Sequence, residues 1–484
     1  MKAIASLATL VALLAVAAHA SAEALSLEQE AAIDRYVAAE MARQRIPGAE
    51  VGIYRHGHAI LEKGYGRATL EWPDAVTPAT LMQSGSVGKQ FAATAIMMLV
   101  EEGRLSLEDS LAKFFPGAPA SWKPIRVKHL LSHTSGLAEY ESDERARPGG
   151  EFDIRLDFTD AEMLAKIEKL PIDFKVGSDW DYRNTNYVLL GYIIERVTGE
   201  FYADYLHRRI FAPLGMTATR LISDREIIPN RAQGYELEGG VLRNQKPVSA
   251  TFNRTADGAL YFNVVDLEKW DRALYGEGIL KQASLDAMWT PMKLNDGRAN
   301  SAGYGFGWFT GAVNGHRRVS HGGAWQGFTC EIGRYLDDGL TVVVLTNLDS
   351  DHAEPDNIVK VVAGLLEPAL MPKRAPPIAD DRPALARSLH EMLRDALRGA
   401  DVAAYFAHGA RGRADATSLA EMRSDLGARD PDVPLELLER TDKNGMTVSV
   451  YRAGTPGNAR RIMVRTDAKG LLVKYAVLAD PDNR

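Results

Sequence analysis

The sequence predicts a mixed α/β domain followed by a smaller α+β domain. Two hairpin patterns near the two ends of residues 25–370, with an apolar helical run between them, predict the first domain. Four prolines among charged residues at 371–384 predict a linker, after which a helical pattern precedes three alternating runs. The 484 residues are too many for one compact domain, and 46% apolar with 25% charged residues is an ordinary globular composition.

The first 22 residues are expected to form a secretion signal. Lys2 precedes an apolar run from Ile4 to Ala18, and small residues at Ala20 and Ala22 suit a cleavage site. A buried helix is the alternative for this segment. Because no other stretch reaches the ~18 apolar residues that span a bilayer, we expect an exported protein, periplasmic or secreted, without an integral membrane segment.

Charge and cysteine usage exclude several classes of protein. A net charge of −7 makes nucleic acid and anionic membranes poor partners. The single cysteine, Cys330, cannot form an intrachain disulfide or a cysteine-rich zinc site.

The first domain, residues 23–370, begins with a predicted hairpin and a buried helix. Residues 51–61 alternate around His56-Gly57, which is typical of a hairpin turn. Residues 86–102 form a helical pattern that is apolar on nearly all sides, so we expect this helix at the centre of the domain.

The rest of this domain combines a loop, a second helix and a second hairpin. Residues 138–158 are polar and predict a surface loop, which could shape a substrate mouth. Residues 185–199 predict a helix that ends at Gly199. Residues 328–335 and 340–346 flank Asp337-Asp338-Gly339 and predict an antiparallel pair.

The last segment, 385–484, is expected to form an accessory α+β domain. Residues 385–407 predict a helix, and strands are predicted at Met446–Tyr451, Arg461–Thr466 and Leu471–Val477. No motif in this domain indicates chemistry, and the sequence does not identify its partner.

Ser86 and Lys89 are the first candidate site residues. Three residues apart on a helix is about one turn, so the amine would lie beside the hydroxyl. A serine needs a base to become nucleophilic, and a lysine can act as one when burial lowers its pKa. A solvated helix that carries this spacing by chance is the alternative.

Tyr182 and Asn184 are the second pair, and they precede the apolar helix. A tyrosine can act as a base beside a cation, and an asparagine offers both a donor and an acceptor to a substrate amide. A helix-capping segment with a half-buried tyrosine is the alternative.

The third candidate is the run His321-Gly322-Gly323-Ala324, which precedes the second hairpin. Glycines in a strand often mark the close approach of another chain or a ligand, where a backbone N–H can meet an oxyanion. A glycine bulge with an incidental histidine is the alternative.

Other chemistries lack their motifs. Gly-x-Ser-x-Gly is not met around Ser86, and neither His-Glu-x-x-His nor a phosphate loop occurs. His129 and His133 have helical spacing for zinc but no evident third ligand, so they are assigned to packing. We therefore expect no metal and no organic cofactor.

The three candidate motifs occur in the order that the serine β-lactamase and penicillin-binding protein superfamily uses. The chain resembles the branch that contains class C β-lactamases, D-stereospecific peptidases and esterases. Over about 25–370 this resemblance also includes the following stretches: Glu101–Leu107, His129–Gly136, Asn186–Gly191 and Tyr304–Trp308.

The resemblance implies an antiparallel sheet flanked by helices, a helical subdomain and an active site between them. It implies that Ser86 forms an acyl-enzyme while Lys89 and Tyr182 handle protons, and that Asn184 orients the substrate. The remaining implied roles are substrate binding by His321, Gly322 and Gly323, and an oxyanion hole from the N–H groups of Ser86 and Ala324.

Two departures from the family pattern bear on the substrate. His321 stands where β-lactamases carry a lysine, and we expect it to titrate near ~6.5, which weakens the hold on a substrate carboxylate at neutral pH. Arg183 stands where the family usually has a small residue, and it either faces the cleft or points to solvent.

The sequence thus predicts an exported serine hydrolase that acts on a small ester or peptide, as an esterase or a D-amino-acid peptidase. A class C-like β-lactamase or DD-carboxypeptidase is the alternative within enzymes, with a β-lactam among the possible substrates. A penicillin-binding sensor or cell-wall binding module without turnover is the alternative of another class.

Overall fold

The computed structural model describes residues 24–238, 240–349, 353–407, 434–443, 445–454 and 459–479. The expected secretion signal, residues 1–22, lies outside the described residues. In the described part of the chain, no helix is long and apolar enough to cross a membrane.

In the described residues, most helices lie before residue 309 in sequence. Their bounds are α1 Leu27–Gln44, α2 Lys89–Glu101, α3 Leu111–Phe114, α4 Val127–Leu131, α5 Asp143–Ala146, α6 Asp160–Ile167, α7 Asn184–Thr198, α8 Tyr202–Leu206, α9 Ala212–Leu214, α10 Val264–Ala273, α11 Gln282–Met288, α12 Pro355–Leu366 and α13 Pro383–Arg398.

In the described residues, the strands form one large sheet and three smaller sheets. Their bounds are β1 Gly48–Arg55, β2 His58–Gly66, β3 Met82–Gln83, β4 Arg220–Leu221, β5 Tyr235–Glu238, β6 Val241–Asn244, β7 Leu260–Phe262, β8 Phe309–Val313, β9 His316–Trp325, β10 Phe328–Tyr335, β11 Leu340–Thr346, β12 Leu348–Asp349, β13 Leu435–Lys443, β14 Met446–Ala453, β15 Arg460–Thr466 and β16 Leu472–Ala479.

The large sheet is antiparallel, in the order β2-β1-β11-β10-β9-β8. The β1–β2 hairpin turns at the predicted residues, because His56 and Gly57 both take positive φ, at 49° and 79°. Strands β10 and β11 are buried along their whole length. A strand buried on both faces must be covered twice, and helices supply both layers.

Helices α1 and α12 cover one face of the sheet, where Val37, Val344 and Val362 belong to one buried cluster. The other face joins a larger apolar core that contains α2 and α7. Eleven of the thirteen residues of α2 are buried, as its uniformly apolar pattern predicts. These observations confirm the predicted arrangement of a helix-flanked antiparallel sheet beside a helical region.

The second domain is a four-stranded antiparallel meander, β13-β14-β15-β16, against which α13 packs. The predicted helix over 385–407 ends earlier, at Arg398, where Gly399 takes a positive φ. Strand β13 was missed by the sequence prediction, because Leu435–Lys443 carries many charges and shows no clean alternation.

The predicted linker, 371–384, is attached to both domains. The Asn314 side chain donates to the carbonyls of Ala369 and Met371 at 2.8 Å. Ile378 N–H donates to the Leu437 carbonyl at 2.8 Å, and Arg440 pairs with Asp380 at 2.6 Å. The linker therefore lies along the second domain, where these contacts hold it.

Two local predictions in the first domain were wrong. The helix predicted over 86–102 begins at Lys89, and Gly85–Gly88 is a 3-10 turn that precedes it. The predicted surface loop 138–158 buries two of its three aromatic residues, Tyr140 and Phe152, which are at most 1% exposed. The sequence does not reveal this burial, because each of these aromatic residues lies between two charged residues.

Candidate active site

The Ser86 hydroxyl lies on the 3-10 turn that leads into α2. Lys89 is the first residue of that helix, and its Nζ lies 2.9 Å from Ser86 Oγ. Ser86 is partly accessible, whereas Lys89 is fully buried. The structure thus brings together the hydroxyl and the amine that the sequence paired.

Strand β9 lies directly against this turn, and two glycines make the approach possible. A Cβ at Gly323 would lie 2.1 Å from the Ser84 carbonyl, and one at Gly85 would lie 2.5 Å from Ala324 N. Gly85 also takes a positive φ of 43°. The glycines of the predicted run therefore mark close chain approach rather than a bulge, and Ala324 N lies beside the Ser86 turn.

Lys89 is held by three hydrogen bonds inside the protein. Its Nζ donates to Asn184 Oδ1 at 2.8 Å and to the Asp257 carbonyl at 2.6 Å, in addition to Ser86 Oγ. Burial lowers the pKa of Lys89 to about 8, against the opposing effect of nearby carboxylates. A substantial fraction of the amine is therefore neutral in mildly alkaline solution, where it can accept a proton.

Tyr182 lies in the loop before α7 and faces Ser86. His133 packs on its ring at a centroid distance of 4.3 Å, and Lys89 Nζ lies 5.0 Å from the ring centroid. Its hydroxyl makes no hydrogen bond of ordinary geometry within the described residues. Burial raises the pKa of Tyr182, so the group is a phenol at neutral pH and suits proton donation.

Asn184 is the first residue of α7 and connects Lys89 to a carboxylate. Its Nδ2 donates to Glu141 Oε2 at 3.0 Å, and its backbone N–H donates to Glu139 Oε2 at 2.5 Å. Because both ends of the amide are engaged, its orientation is determined by its partners.

His321 lies on β9 and is 1% exposed. Its Nε2 lies 2.9 Å from the Tyr304 hydroxyl, and its Nδ1 lies 2.6 Å from the Gly322 carbonyl. Burial lowers the pKa of His321 to about 3, with Lys89 contributing in the same direction. The expectation that this histidine titrates near ~6.5 was wrong, because sequence alone does not reveal its desolvation.

Arg183, for which two orientations were open, lies in neither of the cavities described below. Its guanidinium pairs with Asp173 at 2.9 Å and Asp181 at 2.7 Å, and its side chain is 21% exposed. His133 is buried against Tyr182, which agrees with its assignment to packing. Among the described residues no group of three or more His, Cys, Asp or Glu could hold a metal ion.

Two cavities meet at Ser86. The first, here called the acyl-side cavity, has a volume of about 30 Å³ and contains Tyr140, Glu141 and Asp257 in its lining. The second, here called the strand-side cavity, has a volume of about 680 Å³ and contains Tyr182, His321, Gly322, Gly323 and, from the second domain, Arg461. Ala324 lines both cavities.

The acyl-side residues were not predicted from the sequence. Glu141 lies in the segment 138–158, which the sequence predicts as a loop that could shape a substrate mouth. That prediction is the only feature of the sequence that indicated a role for Glu141. Asp257 precedes β7 and has no motif around it, so only the fold reveals its place beside Lys89.

Comparisons with known proteins agree with this fold and geometry. A family model described as "Beta-lactamase" matches residues 33–365. Penicillin-binding protein 4* of Bacillus subtilis (strain 168) is 31% identical over 333 residues, which cover 66% of this chain and 72% of that protein.

Two solved structures are also similar to this chain. The D-amino acid amidase from Ochrobactrum anthropi SV3, complexed with L-phenylalanine amide, aligns with a TM-score of 0.60 at 25% identity and covers 70% of this chain and 99% of its own. The octameric penicillin-binding protein homologue from Pyrococcus abyssi aligns with a TM-score of 0.61 at 24% identity over 93% of this chain and 97% of its own, which shows a shared fold.

The chain belongs to the β-lactamase family, which confirms the resemblance found in the sequence. Members of this superfamily are serine hydrolases, and this chain is a serine hydrolase of the same fold.

Proposed function

We propose that the protein is an exported hydrolase of small esters or amides that forms an acyl-enzyme at Ser86. The observation that carries the proposal is the convergence of three groups from two separate stretches of the chain. Ser86 Oγ lies 2.9 Å from Lys89 Nζ, and the Tyr182 ring lies against the same amine at 5.0 Å. This is the arrangement of a nucleophile with an adjacent base and an adjacent acid.

Acylation starts when neutral Lys89 accepts the proton of Ser86, whose oxygen attacks the substrate carbonyl carbon. The oxyanion that forms is stabilised by the backbone N–H groups of Ser86 and Ala324. When the tetrahedral intermediate collapses, the alcohol or amine leaves with a proton from the Tyr182 phenol, and the Lys89 ammonium returns a proton to Tyr182.

Deacylation repeats these transfers with water as the nucleophile. A water molecule gives one proton to the same base as it attacks the acyl carbon, and Ser86 recovers its proton when the ester bond breaks. The balance is one substrate and one water converted to a carboxylic acid and an alcohol or amine.

The test is covalent labelling of Ser86. We expect a fluorophosphonate to add once to the wild-type protein, and Ser86→Ala to abolish both labelling and hydrolysis of p-nitrophenyl acetate with little change in Tm. Ser178→Ala, an exposed serine outside both cavities, is the matched control. Labelling of the Ser86→Ala protein in intact-mass spectra would refute the assignment.

Penicillin-binding activity without turnover is the second candidate, and the similarity to penicillin-binding protein 4* favours considering it. A burst of one product per chain with no steady state would support this reading over a hydrolase. Assays with nitrocefin and a D-Ala-D-Ala peptide distinguish a β-lactamase or a DD-carboxypeptidase from an esterase or aminopeptidase.

Export is proposed from the charge, apolar run and cleavage site in residues 1–22. Sequencing of the amino terminus of the protein recovered from a periplasmic fraction tests this. A mature protein that retains Lys2 would contradict it.

A further inference from the structure

Helix α7, which begins at Asn184, lacks a cap from its own neighbours in sequence. Within the part of the chain that the structure describes, its N-cap residue, Arg183, makes no side-chain hydrogen bond to the first turn. The first turn also contains no acidic residue. Because the first N–H groups of a helix have no partner inside the helix, an acceptor from another segment can stabilise this end of α7.

Glu139 supplies such an acceptor from 45 residues earlier in the chain. Its Oε2 accepts from the backbone N–H of Asn184 at 2.5 Å, and its Oε1 accepts from the backbone N–H of Glu141 at 2.9 Å. Burial raises the pKa of Glu139, and the two N–H donors oppose this effect because they favour the charged form. A carboxylate that accepts a hydrogen bond at each oxygen is thus placed at the N-terminus of a helix, where negative charge is favourable.

The two backbones that Glu139 holds belong to the two partners of one side-chain network. Asn184 Oδ1 accepts from Lys89 Nζ at 2.8 Å, and Asn184 Nδ2 donates to Glu141 Oε2 at 3.0 Å. Among the described residues Glu139 makes no hydrogen bond to Lys89 itself. It therefore acts on the amine through Asn184, whose backbone it fixes.

Glu139 also acts on Lys89 through its charge. Burial lowers the pKa of Lys89 to about 8, and Asp257, Glu139 and Glu141 act in the opposite direction. Burial keeps the neighbouring phenols and imidazoles neutral, so the carboxylates supply the negative charge near the amine in the described residues. These neutral neighbours are Tyr182, Tyr187, His133 and His321.

We propose that Glu139 is a positioning residue for the base of the reaction, which caps α7 from a distant segment and holds Asn184 where it orients Lys89 toward Ser86. This inference rests on the proposed function. Loss of the Glu139 charge has two consequences. The Asn184 amide loses its fixed position, which lowers kcat/KM, and Lys89 loses one of the carboxylates that favour its protonated form, which moves the alkaline inflection to lower pH.

The test is the pH profile of Glu139→Gln, in which an NH₂ group replaces one of the two acceptor oxygens. We expect kcat/KM for p-nitrophenyl acetate at pH 9 to fall about tenfold. The inflection should lie at lower pH than in the wild type, so that the rise from pH 6 to pH 8 is smaller than about 50-fold. Glu144→Gln, at an exposed position of the same segment, should retain the wild-type profile. An unchanged inflection in Glu139→Gln would overturn the inference.

A second variant separates the helix cap from the charge. Arg183→Ser places a hydroxyl acceptor at the N-cap of α7, where the backbone has the extended conformation that suits capping, with φ −140° and ψ 117°. In the double variant Arg183→Ser with Glu139→Gln, we expect Tm to return toward that of Arg183→Ser alone while the inflection stays at lower pH. Recovery of the inflection together with Tm would show that Glu139 is only a structural cap. Failure of the double variant to fold would also overturn the inference, since Glu139 would then be needed for more than the cap and the base.

Labelling with a fluorophosphonate separates this inference from the proposed function. Absence of labelling at Ser86 in the wild-type protein would refute the proposed function and this inference with it. Normal labelling of the wild type, with a wild-type inflection in Glu139→Gln, would refute this inference alone.

Discussion

The two cavities that meet at Ser86 differ in how their carboxylates are paired. On the strand side, Glu331 and Asp356 share Arg318 at 2.9 and 2.7 Å. On the acyl side, Glu141 and Asp257 have no cationic partner within ion-pair distance in the described residues. A carboxylate paired inside the protein has its charge compensated, whereas one without a cationic partner beside a nucleophile is open to a ligand.

The two cavities therefore differ in the groups that they offer to a substrate. The strand side presents backbone from Gly322, Gly323 and Ala324 together with a neutral imidazole. These groups can hold a substrate by shape and hydrogen bonding rather than by attraction between charges. The acyl side instead presents Glu141 and Asp257 in its lining.

The largest expected effect is on the pH dependence of ester hydrolysis. Because Lys89 with a pKa of about 8 must lose its proton to act as base, kcat/KM for p-nitrophenyl acetate should rise about 50-fold from pH 6 to pH 8. The curve should then level off above pH 9, and stopped-flow assays at constant ionic strength measure it.

His321, with its pKa near 3, should add no second inflection between pH 5 and pH 8. An inflection near pH 6.5 that disappears in His321→Gln would show that this imidazole becomes charged. The strand side would then carry charge as well, and the contrast between the two cavities would fail.

A smaller effect is expected when a cation is placed on the strand side. His321→Lys should raise kcat/KM for N-acetyl-D-Ala-D-Ala, relative to its C-terminal amide, about tenfold at pH 7. The buried amine should also lower Tm by a few degrees. His316→Lys, on the same strand outside the cavity, is the control, and an unchanged ratio would show that residue 321 does not face the substrate carboxylate.

The smallest effect is expected from removing the second domain. A chain of residues 23–372 should remain folded and hydrolyse p-nitrophenyl acetate within about threefold of the full chain, since the residues around Ser86 and Lys89 precede the cut. Larger substrates should change more, because Arg461 lines the strand-side cavity. Aggregation or loss of ester hydrolysis would show that the second domain completes the core.

The nucleophile and its partners could be predicted from sequence because they occur in short motifs. Ser86 and Lys89 are three residues apart, and Tyr182 and Asn184 precede a helix whose apolar pattern is unambiguous. Hairpin turns and one uniformly apolar helix are likewise local signals, and they predicted a mixed α/β domain. The antiparallel sheet flanked by helices was expected from the family resemblance.

The rest of the site depends on tertiary burial, which leaves little local trace. Asp257 and Glu141 are 116 residues apart in sequence and meet only in the folded protein. The protonation of His321 depends on its desolvation and on nearby Lys89. Arg183 pairs with Asp173 and Asp181, which its position in the sequence does not reveal. Strand β13, outside the site, was missed because its charged residues obscure any alternation.

Gly85 and Gly323 have no side chain, and this determines which substitutions the site can accept. Since the spacing between the reactive hydroxyl and the strand is determined by main-chain contact, replacing side chains elsewhere in either cavity leaves that spacing intact. New substrate preferences can therefore arise at the cavity walls while the machinery for bond cleavage stays constant. A methyl group added at either glycine, by contrast, would separate the two halves of that machinery.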